Sequence, residues 1–156
     1  MDSAYIDRLL QALKDQNETV RNQAIGEFWH MWFHQKGTQG AKRLIESQTL
    51  VEAEQNTKAK AILDELIDTQ PDFAEAWNRR AVLYYMEGNY PAAINDCQKT
   101  LELVPHHFGA LHGLGLCYAS VGNYQDAIQY FRRTLDLQPF SLINQRLILE
   151  CIAQLE

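Results

Sequence analysis

The chain has 156 residues, 46% hydrophobic and 22% charged, enough to bury a core without disulfides and too apolar to remain disordered. Its 14 basic and 20 acidic residues give a formal net charge of −6. That sign argues against nucleic acid and anionic membrane as partners, since both select a cationic surface.

The first residues, MDSAYIDRLL, carry acids at Asp2 and Asp7 and lack the basic segment and apolar run of a secretory signal. No apolar stretch approaches the roughly 18 residues of a membrane span, so no membrane insertion is expected. Three cysteines, Cys97, Cys117 and Cys151, are widely spaced and form no CxxC pair. Buried thiols in a reducing compartment are expected, and with them a cytoplasmic location, or a stromal one after removal of a transit peptide.

Residues 3–35 read as two helices around Asp15-Gln16-Asn17-Glu18. In the second, at about 100° per residue, Ala24, Ile25, Phe28, Trp29, Trp32 and Phe33 share one face and Gln23, Glu27, His30 and His34 the other. The aromatic face is expected to pack on the first helix and on residues 41–54. His30 and His34 stand one turn apart with Glu27 a turn earlier, which would suit a zinc ion. With no glutamate between the histidines, the helical zinc-protease pattern is absent, and the expectation is a solvated stripe without metal.

From residue 40 a period of 34 takes over. Pro71, Pro105 and Pro139 are spaced by it, as are Gly88 and Gly122, Asn89 and Asn123, Tyr84 and Tyr118, and Ala59, Ala93 and Ala127. Such a period marks a solenoid of helical hairpins. Small residues at 47, 81 and 115 let paired helices approach, the Gly-Asn pairs end one helix and cap the next, and the prolines stop each second helix. After Pro139, SLINQRLILECIAQLE has the apolar spacing of a capping helix.

Residues 40–141 resemble three tetratricopeptide repeats. The third keeps Leu111, Leu114-Gly115, Tyr118, Ala127, Phe131 and Pro139. The second keeps Trp77, Ala81, Tyr84, Ala93 and Pro105, but has Arg80 and Cys97 where leucine and an aromatic are usual. The first is degenerate, with Ser47, Leu50, Ala59, Leu63 and Pro71. The segment LLQALKDQNETVRNQAIGEF resembles one HEAT-type hairpin, with Asp15 and Arg21 as its ion pair. The resulting expectation is an all-α, right-handed helical-hairpin solenoid of about three repeats (about 40–73, 74–107 and 108–141). A hairpin cap over 1–36 precedes the solenoid unit 37–156, and the C-terminal capping helix covers 141–155.

The resemblance implies a concave groove lined by the first helices of the repeats. The residues expected to meet a partner are Asn78, Arg79, Val82, Tyr85, Met86, His112 and Leu116, with Gly109 and Gly113 leaving room for its side chains. An amphipathic helix or an extended peptide of another protein fits that mixture, and a homo-oligomer is a further possibility. Family members that bind chaperones grip a terminal carboxylate with lysine, asparagine and arginine; the matching positions here are Leu44, Gln48, Arg79, Gly109 and Gly113. One cation among five disfavours that grip, leaving a co-chaperone-like role only by another mode. His106 and His107 are read as turn residues and His112 as a groove residue. No nucleophile, phosphate loop or cofactor motif emerges, so the expectation is a protein-binding adaptor rather than an enzyme. The rival is a metal-dependent enzyme using Glu27, His30 and His34.

Overall fold

The computed structural model describes residues 2–156, which form nine α-helices and no strand. A leading pair comprises α1 (Ser3–Ala12) and α2 (Glu18–Phe33). Three hairpins follow: α3 (Gly37–Glu52) with α4 (Asn56–Thr69), α5 (Ala74–Met86) with α6 (Tyr90–Leu103), and α7 (Phe108–Ser120) with α8 (Tyr124–Leu137). Helix α9 (Leu142–Leu155) packs on α8. The fold is an all-α hairpin solenoid, as the 34-residue period predicts. The second helices of the three hairpins start and stop in the same register.

Local chemistry sets those limits. Gly88 and Gly122 take φ of 76° and 82°, ending α5 and α7 in the left-handed region that a side chain disfavours. Asn89 and Asn123 then cap α6 and α8, accepting from the backbone N–H of Ala92 and Asp126. The degenerate first repeat has no glycine there. Its equivalent residue, Glu54, adopts φ 59° with a full side chain, a conformation that costs about 1–2 kcal/mol.

Packing follows the small-residue register. Ser47 and Ala81 are buried, and at Gly115 an added Cβ would collide with the ring of Phe131 from α8. Ala59, Ala93 and Ala127 answer from the second helices with no exposed surface. On α9 the same register holds Leu149, 66% exposed, in place of a small residue. Arg80, where leucine is usual, does different work. Its Nε and Nη2 grip both oxygens of buried Asp96 on α6 at 2.7 and 3.0 Å, and its Nη1 reaches Asp64 on α4. One guanidinium ties three helices where a hydrophobic contact would tie two.

The leading pair closes differently from expectation. Arg21 does not meet the Asp15 carboxylate; its Nη1 donates to the carbonyl oxygens of Asp15 and Gln16 at 2.8 and 2.9 Å. Helix α2, about 24 Å long at 1.5 Å per residue, then runs past the third and second proline corners, and the turn that follows it reaches the first. Arg21 lies over Phe140 at the third corner. Trp32 stacks on His107 at 3.9 Å between ring centres, and Phe28 meets His106 and Phe108, at the second. Gln35 and Lys36 bind the Asp72 carbonyl and carboxylate at the first. The aromatic face therefore does pack on α1, through Leu9, Leu10 and Leu13, but its other partners are mainly Val104, Phe108 and Leu137 rather than residues 41–54. Phe33 alone joins the cluster around Leu44.

Candidate functional site: a half-covered concave groove

The corner strapped by α2 is built around a buried carboxylate. Glu75, in the first turn of α5, is fully buried and accepts from Asn78 Nδ2 at 3.1 Å and Arg79 Nε at 2.8 Å. His107 Nε2 lies 2.8 Å from its other oxygen. His107 Nδ1 accepts the Ala110 N–H at 3.0 Å, which caps α7 and leaves the ring proton on Nε2, so the imidazole donates to Glu75. Burial alone would push the Glu75 carboxyl up. The hydrogen bond from His107 and the charge of Arg79 outweigh it and hold the group below its usual value. His106, beside it, is pushed down by its own burial.

Helix α2 also reaches into the groove. Trp29 lies against Gly109, where a Cβ would come 2.7 Å from its ring, and Arg79 packs its guanidinium over Trp29 and Phe33. The upper part of the concave face is thus filled by the chain itself. Beyond Trp29 the groove opens into a pocket of about 160 Å³ lined by Asn78, Ala81, Val82, Tyr85, Cys97, Gly109, His112, Gly113, Leu116 and Cys117.

Five of the seven groove residues expected from sequence stand on this pocket: Asn78, Val82, Tyr85, His112 and Leu116. Arg79 lies apart, in a shallow recess of about 50 Å³ with Gln48 and Val51, its charge committed to Glu75. Met86 is exposed and does not line this pocket. Sequence reasoning missed Cys97 and Cys117. Both thiols are buried, and burial pushes Cys117 up to about 11 and Cys97 higher still, so they are apolar walls and not nucleophiles. The available signal was Cys97 in place of the usual aromatic, which leaves a hole.

The Glu27, His30 and His34 set does not converge. Glu27 accepts the hydroxyl of Tyr5 on α1, while His34 stacks on His30 with its Nδ1 2.9 Å from the His30 carbonyl. Among the described residues, no three His, Cys, Asp or Glu side chains are placed to hold one ion. No described helix is long and apolar enough to cross a membrane.

A solenoid of paired helices with a small-residue register and a concave pocket defines a helical-repeat binding protein. Residues 72–139 match the tetratricopeptide repeat family, so that stretch of the chain is a run of tetratricopeptide repeats. A tetratricopeptide repeat-containing protein of Rhizobium etli is 33% identical over 110 residues, 70% of this chain and 54% of that protein. The human protein SGT1 homolog is 32% identical over 84 residues, 52% of this chain and 22% of its own length. The chain thus spans about half the length of the bacterial relative and less of the human one. Among solved structures, the first tetratricopeptide domain of Spaghetti (RPAP3), bound to an HSP90 peptide, superposes with a TM-score of 0.70 at 16% identity. The match covers 72% of this chain and 90% of that one. Tetratricopeptide domains are protein–protein interaction modules.

Proposed function

We propose that this protein is an adaptor or assembly factor whose open half-groove holds an amphipathic helix or extended peptide of a partner, and that it performs no catalysis. The observation that carries this reading is the gathering of Val82, Tyr85, His112 and Leu116 around one solvent-open pocket. Apolar walls with a few polar handles are the chemistry of peptide recognition. In this reading residues 1–36 form a cap that covers part of the groove, residues 37–156 form the binding solenoid, and the protein works in the cytoplasm.

Although the Spaghetti domain holds an HSP90 peptide, the carboxylate grip is poorly supported here. Leu44 is fully buried, Arg79 is engaged by Glu75, and positions 109 and 113 have no side chain. A peptide ending in EEVD is expected to bind no more tightly than about 1 mM. The main test is affinity capture with wild type and with Tyr85→Ala and Met86→Ala, each checked for an unchanged helical spectrum. Loss of a partner retained by the wild type supports the groove, and identical capture by all three overturns it.

A further inference from the structure

We propose that the pocket beyond Trp29 is an anchor site for one aromatic side chain carrying a hydrogen-bond donor, with the indole of a partner tryptophan as its occupant. This rests on the groove reading above and makes it specific.

The chain itself supplies the precedent. On α7, Gly109 and Gly113 stand one turn apart on the concave face. The space beside Gly109 is filled by the indole of Trp29, whereas Gly113 faces the pocket, and an added Cβ there would meet only Cys97 Sγ at 3.1 Å. Two glycines on one helix carry a cost in helix propensity, and at Gly109 the return is close approach of a ring. The open pocket has the dimensions for another ring. Its volume of about 160 Å³ matches that of an apolar cavity known to take benzene, roughly 150 Å³, and its mouth past Val82 gives a larger ring room to project.

The polar atoms select a donor. Asn78 is 3% exposed, spends its Nδ2 on Glu75, and accepts no hydrogen bond at Oδ1 from the protein. His112 also lines the pocket; its Nδ1 is 2.8 Å from Asn144 Oδ1, an acceptor because that amide's Nδ2 is spent on Ser141, and in the tautomer this fixes, Nε2 carries no proton. The walls thus present unmatched acceptors among thiols, glycines and aliphatic groups. An aliphatic anchor would fill the space and leave them unanswered, whereas an indole N–H fills it and pairs with one.

The test uses indole and benzofuran, which share a shape and differ in the N–H. Each is titrated into the full chain and followed by amide shifts of Gly109, Gly113 and Leu116. Saturable binding of indole, about fivefold tighter than benzofuran and abolished in Gly113→Leu, is the expected result. If Gly113→Leu does not fold, Val82→Trp, enlarged at the exposed rim, is the blocking variant. Equal affinity for the two probes, or no shift with either, overturns the proposal. The groove reading fails separately. A partner lost in Tyr85→Ala but retained by Gly113→Leu leaves the groove standing and removes the anchor.

Discussion

Replacing His107 with alanine isolates the junction between the leading pair and the solenoid. The variant removes the hydrogen bond to a fully buried carboxylate, worth about 1.5–3 kcal/mol when one partner is charged. It removes the cap on α7, about 1 kcal/mol. It also removes the ring stacked on Trp32, about 0.5–1.5 kcal/mol. One imidazole makes all three contacts, so relaxation at one affects the others, and the expected loss is about 3–5 kcal/mol. Urea unfolding followed by far-UV circular dichroism measures it, and His107→Asn, which can still cap α7, should recover about 1 kcal/mol. A loss below about 1 kcal/mol would refute the reasoning, because it would mean that Glu75 is satisfied without His107. The pH dependence gives an independent test of the same group. The Glu75 carboxyl is held below its ordinary 4.5, so its contribution is complete above 4.5 and fades as pH falls through the lowered value. Stability should be insensitive to Glu75 between pH 7 and 5, and the decline below pH 4.5 should be shallower in Glu75→Gln.

Three further outcomes follow from the packing. Arg80→Ala leaves the carboxylate of Asp96 buried without its partner and should cost about 3–5 kcal/mol in denaturant unfolding. Glu54→Gly relieves a left-handed side-chain-bearing residue on the surface and should raise stability by about 0.5–1 kcal/mol, net of the extra freedom glycine gives the unfolded chain; a loss would show that Glu54 is not strained. Gly115→Ala drives a methyl group into the Phe131 ring and should destabilise by about 1–3 kcal/mol, with a lowered melting temperature as the readout.

The repeats were legible because their signals are local and recur: a proline, a Gly-Asn pair and small residues, each returning at 34. The caps, the corners and the α9 packing all derive from contacts within one hairpin or between neighbours. What was not legible is long-range. Nothing in EFWHMWFHQ says that its rings meet Phe108 and two imidazoles some 75 residues on, because a helical stripe specifies that a face is buried and not what buries it. Arg79 read as a groove cation although Glu75 stands four residues before it on α5, a pairing that was local and open to sequence reasoning. Arg80 read as a departure from pattern, and its partner Asp96 is 16 residues away on the next helix.

The position of α2 decides how much of the solenoid is left to a partner. A helix that only capped the first repeat would leave the whole concave face open. By running past the corners, α2 places Trp29 over the face and under the Arg79 guanidinium, whose charge is already paired with Glu75 on α5. The remaining face is recessed and apolar, with acceptors at its walls. Under the anchor proposed above, a partner is selected by the shape and donor of one side chain more than by its charge. Retention should accordingly depend only weakly on salt, changing less than about twofold between 50 and 500 mM sodium chloride, since no exposed ion pair is left in the pocket to screen. A partner released by salt over that range would place recognition outside the pocket, on the charged rim.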